Sequence, residues 1–317
     1  MFERHLQKMI TPWRLKQALT WWMTKHADSG RKLASFIKVR CGHLIHLFQQ
    51  SILRNTYKIS PSFRVVNTKG DVFEIWQDTD RVVHYLLAET VRSAFHTVIS
   101  PKCIHVKRHG GMKHHLYRLK RALERYPYVY RTDIKRFYAS IPHKALMRML
   151  RSRIDDPVIL RLIYETISAP IWVEGKLQSR KGKGIPLTCP LSPLIGAIYL
   201  SSIDRMFDHC SDVFYVRFMD DIIVLTKNHK RLENVVAMAR AEMNVLKVAP
   251  HPKKTFVGKT IRGFSFLGFD FGVALKPPKK EGDRPIRQVT QKVRSSTLRR
   301  CYRRAFSFIR MGTLEPV

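Results

Sequence analysis

Hydrophobic and polar positions alternate with different periods along this chain, and each period predicts a type of element. Where apolar residues recur every three or four positions, with lysines and arginines between them, we expect amphipathic helices. In one of these helices Leu86 and Leu87 share an apolar face, and Asp80 lies near the start. The helices predicted in this way cover 13–23, 31–54, 80–95, 115–125 and 230–247, and a basic helix is expected from about 284 to 311.

Short runs of β-branched and aromatic residues predict three hairpins. The first covers 63–76, with its turn at 68–71. The second covers 215–225 and carries two adjacent carboxylates, Asp220 and Asp221, between its strands. The third is a glycine-rich aromatic hairpin at 263–271. The third hairpin and the segment 250–255 before it suit the edge of a sheet.

The middle of the chain predicts a strand followed by helices. The strand covers 126–138 and ends in a polar, aromatic corner, and helices follow up to residue 170. A Lys/Gly-rich segment at 175–184 then precedes one long apolar helix. That helix is opened by 185–193 and is expected to end near Phe207.

Composition narrows the classes of function. At 317 residues and 44% hydrophobic content, the chain is long enough to bury a large core. Its 58 Lys and Arg against 24 Asp and Glu leave a formal charge of +34, which predicts a polyanionic partner, first of all nucleic acid. No apolar run approaches the roughly 18 residues that a membrane-spanning helix requires. The N-terminus lacks the apolar core of a secretory signal, so we expect a cytoplasmic protein with no membrane partner.

The adjacent carboxylates Asp220 and Asp221 are the first candidates for chemistry. Mg2+ prefers oxygen ligands, and a pair of strands would hold carboxylates rigidly at the tip of a hairpin. The pair therefore indicates metal-assisted phosphoryl chemistry. An ordinary turn is the alternative interpretation of two adjacent aspartates taken alone.

Five blocks, taken in order, resemble the reverse transcriptase family, and specifically the compact bacterial enzymes related to those of group II introns. The resemblance spans about residues 60–270. Each block alone is weak evidence, but their shared order makes coincidence implausible. The blocks are TDIKRFYASI at 132–141 (first catalytic motif), GIPLTCPLSPLIGAIYL at 184–200 (template and nucleotide motif), FMDD at 218–221 (second catalytic motif), KT at 254–255 and FLGF at 266–269 (primer grip).

The resemblance implies catalysis by two metal ions, about 3.5–4 Å apart, that activate the primer 3′ hydroxyl and hold the triphosphate. Asp133 and Asp220 would bridge two Mg2+ ions, with Mn2+ as an alternative, and the backbone carbonyl of Ile134 would add a ligand. Asp221 would be the weaker, outer ligand. Lys254 matches a family lysine that protonates the leaving pyrophosphate, although exposed lysines are common in so basic a chain.

Tyr138 falls five residues after Asp133, where the family carries an aromatic ring that excludes a ribose 2′-hydroxyl. Deoxynucleotides are therefore expected as substrates. A plain core position suits the neighbouring Phe137 better. The full set of expected dNTP contacts is Lys69, Lys107, Lys113, Lys135, Phe137, Tyr138, Pro186, Leu187 and Thr188. The expected primer grip is Phe266, Leu267, Gly268 and Phe269, a segment that also suits a buried aromatic hairpin.

Two departures from the family pattern stand out. Related enzymes carry Pro-Gln-Gly or Pro-x-Gly in the template motif, whereas this chain has Leu187 and Thr188 after Pro186. A Cβ at Thr188 crowds a place where glycine allows the backbone to approach the nascent base pair. The hairpin at 63–76 also lacks the arginine expected after its Lys-Gly turn, because Val-Phe-Glu-Ile occupies that place.

The expected architecture is α+β, a right-hand polymerase with fingers, an antiparallel palm sheet, a short thumb and an N-terminal helical extension. In this scheme the palm sheet carries Asp133, Asp220 and Asp221. The expected segments are 1–60 (basic helical extension), 61–125 (fingers), 126–144 (palm), 145–184 (fingers), 185–262 (palm) and 263–317 (primer grip and short basic thumb).

The expected function is RNA-directed DNA polymerase, with dNTPs, a DNA primer and an RNA template or noncoding RNA as partners. One alternative is a polymerase that adds deoxynucleotides without an ordinary template, which the Leu187 and Thr188 step suggests. Another is a nonenzymatic RNA-binding protein on a polymerase fold, which the three intact acids disfavour.

The subgroup is assigned by elimination. No maturase, endonuclease or RNase H segment is expected after Phe271, and Ser192-Pro193 differs from the Ser-Gln of diversity-generating retroelement enzymes. The sequence has no Val-Thr-Gly signature like that of retron enzymes. Stand-alone bacterial reverse transcriptases remain, many of which are linked to antiphage defence. Such an enzyme is expected to work with a dedicated noncoding RNA, a partner protein or a second copy of itself.

Overall fold

The computed structural model describes residues 4–25, 46, 48–66 and 72–272. Its helices are α1 (Arg4–Met9), α2 (Pro12–Lys25), α3 (Asp78–Ala94), α4 (Gly111–Ala122), α5 (Phe137–Ser140), α6 (His143–Arg151), α7 (Pro157–Ser168), α8 (Ser192–Tyr199), α9 (Ser201–Asp208) and α10 (His229–Val245). Its strands are β1 (Ser62–Val66), β2 (Val72–Ile75), β3 (Tyr128–Thr132), β4 (Ile171–Val173), β5 (Lys176–Gln178), β6 (Val213–Phe218), β7 (Asp221–Thr226), β8 (Phe256–Lys259), β9 (Phe264–Phe266) and β10 (Phe269–Phe271). The α+β class predicted from the sequence is confirmed.

An antiparallel sheet with the strand order β6-β7-β3-β8 lies at the centre of the fold. Successive side chains of a strand face opposite sides, so each strand contributes to two cores. On β7, Ile222 and Val224 belong to the larger core, which also contains residues of α8, α9 and α10. Ile223 and Leu225 belong to a smaller core with Leu119 of α4. Both faces are covered, which explains the continuous apolar run in β7.

A second sheet has the order β2-β1-β4-β5. The predicted hairpin is confirmed in β1 and β2, which pair antiparallel with Phe63 opposite Ile75, while its turn lies outside the described residues. β1 also pairs in parallel with β4, where Ser62 meets Ile171. No element was predicted for 171–178, where β4 and β5 form a hairpin that reaches into the Lys/Gly-rich segment. Three-residue strands are too short to show a period, and the partner β1 is distant in sequence.

Several predicted element boundaries were wrong. The single apolar helix is two helices, because Leu200 leaves helical geometry between α8 and α9, with φ −93° and ψ 7°. The helix predicted at 115–125 begins at Gly111 and ends at Ala122. The strand predicted to reach Tyr138 ends at Thr132. Beyond it, Arg136 adopts a left-handed conformation, with φ 48°, and α5 follows.

The N-terminal helices pack against α3. Leu15 and Trp22 of α2 are buried in the larger core, and the Trp22 indole donates a 2.9 Å hydrogen bond to Asp78 at the start of α3. Of the helix predicted at 31–54, residues 48–53 are helical, and most of the remainder lies outside the described residues. The basic helix expected at 284–311 also lies outside them. Among the helices that are described, none has the length and apolarity needed to cross a bilayer.

Candidate active site

Strand register brings the three candidate acids to one edge of the central sheet. β3 pairs antiparallel with β7, and Thr132 lies opposite Ile222, so Asp133 comes beside Asp221 as the strands end. In the β6-β7 hairpin, Phe218 pairs with Asp221, which leaves Met219 and Asp220 as the turn. Backbone pairing alone therefore gathers carboxylates that are far apart in sequence.

The charge of Asp133 affects the ionisation of Asp220 and Asp221. Burial, followed by the negative charge of Asp133 and a smaller effect of Asp221, raises the pKa of Asp220 to about 6. Burial also raises the pKa of Asp221, against the opposing charge of Arg131. The positive charge of Lys254 lowers both pKa values, and this effect is smaller than that of burial. The edge of the sheet is thus a concentrated negative site that favours either protons or cations.

Two basic side chains lie against the acids. Nζ of Lys254 is 3.0 Å from Oδ2 of Asp133. The guanidinium of Arg131 donates to Oδ2 of Asp221 at 3.2 Å and to the carbonyl of Lys254 at 2.9 Å. Its Nε forms an ion pair with Oδ1 of Asp221 at 3.1 Å but is not aligned for a hydrogen bond, so the buried Oδ1 accepts no hydrogen bond. These cations offset part of the repulsion among the carboxylates.

The residues present fit divalent cations in their chemistry. Carboxylate oxygens are the ligands that Mg2+ prefers, and the repulsion that raises the pKa of Asp220 is relieved when a cation binds. Oδ1 of Asp221, which is buried and accepts no hydrogen bond, points to the same conclusion. Within the described ranges, however, no three acidic, His or Cys side chains form a complete ligand cluster. The donors therefore converge without adopting a chelating arrangement.

The turn that carries Asp220 is held by hydrogen bonds to both backbone groups of Met219. Met219 is left-handed, with φ 54°. Its N–H donates to Nδ1 of His105 at 2.9 Å, and its carbonyl accepts from Nη1 of Arg217 at 2.7 Å. Because Nδ1 accepts, the His105 proton is on Nε2, which donates to the carbonyl of Pro193 at 3.1 Å. Burial lowers the pKa of His105 to about 4, so the ring is neutral near pH 7.

Arg217 is itself fully buried and paired with Asp204 of α9. Nε and Nη2 of Arg217 donate to the two oxygens of Asp204 at 2.8 and 2.5 Å. The hydroxyl of Tyr215 donates to the same carboxylate at 2.5 Å. A bidentate pair of this kind offsets the cost of burying both charges and fixes their orientation. The hairpin that carries Asp220 and Asp221 is thereby attached to α9.

Tyr138 and Phe137 have different environments. Phe137 is buried, and a Cβ at Gly196 of α8 would lie 3.0 Å from its ring, so glycine allows α8 to pack closely against α5. Tyr138 is only partly buried. Burial and then the charge of Asp220 raise the pKa of the Tyr138 phenol, which places this ring near the acids. The core position expected for Phe137 is confirmed.

The template motif lies directly beside this tyrosine. The N–H of Ile185 donates to the carbonyl of Tyr138 at 2.8 Å. Gly184, with φ 86°, approaches the backbone of Ala139 so closely that a Cβ would lie 3.3 Å from its carbonyl oxygen. Of the three residues that follow Ile185, Pro186 is buried, whereas Leu187 and Thr188 are exposed.

The lysines expected to contact a triphosphate do not form one group. Lys69 lies outside the described residues. Lys107 lies in a cleft between α2 and α3, with its ammonium 3.8 Å from Glu89. Lys113 is exposed in the first turn of α4. Lys135 is exposed and comes two residues after Asp133, beyond the buried Ile134. Among the described lysines of this set, Lys135 is therefore close to a candidate acid in sequence.

The expected primer grip is a hairpin. β9 and β10 pair with Phe266 opposite Phe269, and the turn between them, Leu267 and Gly268, has φ 52° and 81°. Two positive φ values suit the tight turns of two-residue hairpins. Phe266 is buried in the smaller core, while Phe269 is 37% exposed. The predicted hairpin is confirmed, and Phe269 is its exposed aromatic ring.

Four residues of the site were not predicted from the sequence: His105, Arg131, Asp204 and Arg217. Two of them carried a signal. Arg217 interrupts an apolar strand, and Asp204 is the single acid in the segment 185–207, which was predicted to be an apolar helix. Opposite charges in two apolar elements indicate a buried pair. His105 lies in a loop with several other histidines and lysines, where nothing in the pattern distinguishes it.

An α+β chain with three carboxylates gathered at the edge of an antiparallel sheet fits the polymerase class of nucleotidyltransferases. The family model described as reverse transcriptase (RNA-dependent DNA polymerase) matches residues 74–271, well over half of the chain. The chain therefore belongs to the reverse transcriptase family, whose members are RNA-dependent DNA polymerases.

Solved structures with detectable similarity include two described as "Partial Cas6-RT-Cas1--Cas2 complex" and "Cas6-RT-Cas1--Cas2 complex". Each match covers 76% of the present chain, at 19% sequence identity and with a TM-score of 0.43. The match covers 43% of the first chain and 27% of the second, so this chain spans less than half of either. No curated protein matches the chain.

Proposed function

We propose that this protein synthesises DNA on an RNA template by transferring deoxynucleotides to a primer 3′ end. The convergence of Asp133, Asp220 and Asp221 in a chain of the reverse transcriptase family carries the proposal. Inference from a fold to a function is weak by itself. Here it is supported by the acids, by the effect of Asp133 on the pKa of Asp220 and by the aromatic ring of Tyr138 beside them.

The two four-stranded sheets support a palm and fingers. The strands of the central sheet fall in 126–144 and 185–262, the segments assigned to the palm. The strands of the second sheet fall in 61–125 and 145–184, the segments assigned to the fingers. Segments that alternate along the chain thus share sheets in the way a right-hand polymerase requires. We assign 1–60 to the N-terminal extension and 263–317 to the primer grip and thumb.

Asp133 and Asp220, with the carbonyl of Ile134, would hold two Mg2+ or Mn2+ ions, and Asp221 would be an outer ligand. The ions, when bound, would activate the primer hydroxyl and stabilise charge on the triphosphate. The chain itself would position the acids, through the bonds that hold Met219 and through Arg131 on Asp221. Lys254, 3.0 Å from Asp133, would donate a proton to the leaving pyrophosphate.

We assign substrate contacts around this centre. The ring of Tyr138 would press on the sugar and exclude a ribose 2′-hydroxyl. Lys135 would contact the triphosphate, and the Pro186 to Thr188 step would contact the nascent base pair. Phe269 and the rest of the β9-β10 hairpin would support the primer strand.

The charge of +34 supports a nucleic-acid partner held through its phosphates, with affinity that falls as salt rises. We propose a dedicated noncoding RNA as that partner and a role in bacterial antiphage defence, on the resemblance to stand-alone enzymes. Sequencing the RNA and DNA that copurify with the protein tests this. A recurrent single RNA species supports the proposal, whereas a random sample of cellular RNA contradicts it.

Primer extension tests the polymerase activity itself. Wild type should extend a DNA primer on an RNA template, and Asp220→Asn should abolish extension because a metal ligand is lost. Asp155→Asn is a suitable control, since Asp155 is a half-exposed surface acid whose ion pair is with His5. Equal products with and without RNA would indicate untemplated synthesis. RNA binding without any incorporation would indicate the nonenzymatic alternative.

A further inference from the structure

Glu74 is a buried acid in β2, at the place where related enzymes were expected to carry a basic residue. It is 5% exposed. Its carboxylate accepts a 2.5 Å hydrogen bond from Nη2 of Arg180 and a 3.3 Å hydrogen bond from the hydroxyl of Ser62. Arg180 is also attached to the carbonyl of Ala169, through Nε at 3.1 Å. The acid therefore joins β1, β2 and the segment after β5.

The same residue also holds the template motif. The N–H of Glu74 donates to Oγ1 of Thr188 at 3.1 Å, and the Thr188 hydroxyl donates to the carbonyl of Glu74. In addition, the N–H of Leu187 lies 3.4 Å from Oε1 of Glu74 as a hydrogen-bond donor. The Thr188 hydroxyl thus closes a ring of bonds with the backbone of β2, much as a neighbouring strand would.

These contacts connect the two departures from the family pattern. Glycine, which the family carries near position 188, has no hydroxyl with which to hold β2. Arginine, which the family carries near position 74, has no acceptor for Arg180 or for the N–H of Leu187. Thr188 bonds to the backbone of residue 74, and the Glu74 carboxylate bonds to Leu187, so the two unusual residues join the same two segments. What were two separate anomalies in the sequence are one structural unit.

We propose that Glu74, Thr188 and Arg180 act as positioning residues that set the affinity and selectivity for the incoming dNTP. The unit attaches the β1-β2 hairpin to the Leu187 and Thr188 step, and that step follows the segment bonded to Tyr138. The nucleotide pocket is therefore assembled before substrate arrives, and less ordering is required on binding. This inference rests on the proposed polymerase function.

Thr188→Val tests the unit, because valine keeps the shape of threonine and removes both hydrogen bonds. Thr188→Ser keeps the hydroxyl and serves as the conservative rescue. Thr166→Val is a matched control, since Thr166 in α7 is buried and its hydroxyl donates to the carbonyl of Leu162 at 2.8 Å, outside the site. Each variant is measured for single-nucleotide incorporation, for equilibrium dNTP binding and for hydrogen exchange over 72–75 and 185–189.

We expect Thr188→Val to raise KM and the dNTP dissociation constant about tenfold, with kcat within about twofold of wild type. Exchange should become faster in both segments. Thr188→Ser should match wild type, and Thr166→Val should leave KM, dNTP affinity and exchange in these segments unchanged. Thr188→Gly, which restores the family residue, should also weaken dNTP binding rather than improve it.

Unchanged dNTP affinity in Thr188→Val, or an equal loss in Thr166→Val, overturns the inference. Failure of the proposed function has a different signature: wild type then extends no primer on RNA. Binding and exchange require no turnover, so they still decide the inference in that case. A wild type that binds no dNTP overturns it as well.

Discussion

The backbone N–H of Met219 donates a 2.9 Å hydrogen bond to Nδ1 of His105, although the two residues are 114 positions apart. The other ring nitrogen of His105 donates to the carbonyl of Pro193, in the template motif. One neutral imidazole thus connects the turn that carries Asp220 to the first turn of α8, in the template motif. From its position between the two motifs, we expect His105 to hold Asp220 in place.

His105→Ala should lower kcat about tenfold, with KM for dNTP within about twofold, because the turn loses its hydrogen bond from Met219 and its link to Pro193. His105→Asn places an oxygen acceptor near the position of Nδ1 and should restore much of the rate. Single-nucleotide kinetics measure both values. His109→Ala is the control, since His109 contacts the carbonyl of Cys103 in the same loop. Equal losses in the two alanine variants would indicate a general disturbance of the loop.

Variants of the Arg217–Asp204 pair should show which part of its role is in stability and which part is in activity. Arg217→Met alone leaves the Asp204 carboxylate buried without its cation, which should lower the free energy of unfolding by about 3–5 kcal/mol. Adding Asp204→Leu should recover most of that loss. The double variant should nevertheless extend primers more slowly than wild type, because the carbonyl of Met219 has lost its 2.7 Å hydrogen bond from Arg217. Chemical denaturation and primer extension check the two parts, and full activity in the double variant argues against a positioning role.

Tyr138→Ala should admit ribonucleotides. If the ring excludes a 2′-hydroxyl by contact, removing it should reduce the preference for dNTP over rNTP about a hundredfold. Tyr138→Phe retains the ring and should keep the preference. The ratio of kcat/KM for dNTP and rNTP is the measurement. Unchanged discrimination in the alanine variant contradicts the assignment of Tyr138 as the gate.

Binding of Mg2+ should depend on pH through Asp220. The pKa of this carboxyl is about 6, raised above its usual value by burial and by Asp133, so the group is protonated below pH 6 and ionised above it. Mg2+ binds the ionised form, and ligands that bind the folded state raise Tm. The rise in Tm caused by Mg2+ should therefore be small near pH 5 and larger near pH 7. In Asp220→Asn the rise should be smaller and should lose its dependence around pH 6.

Much of the site could be predicted from local patterns. Asp220 lies between two strand-forming runs, and the period of those runs predicts the hairpin that the structure confirms. The aromatic hairpin at 263–271 was predicted in the same way. The three-residue strands β4 and β5 were missed because their pairing depends on β1. The division between α8 and α9 was missed because Leu200, Ile203 and Phe207 continue the helical spacing of apolar residues across it.

The sequence by itself determined the class of this protein. Spaced motifs and local periodicity specify the acids, Tyr138 and the principal hairpins, because these depend on residue type and on near neighbours. Tertiary structure alone decided which distant side chains hold them: His105 on Met219, Arg217 on Asp204, and Glu74 on Thr188. Hydrogen bonds between residues far apart in sequence leave no period in the chain. Only the folded arrangement shows that the acid in β2 and the threonine in the template motif belong together.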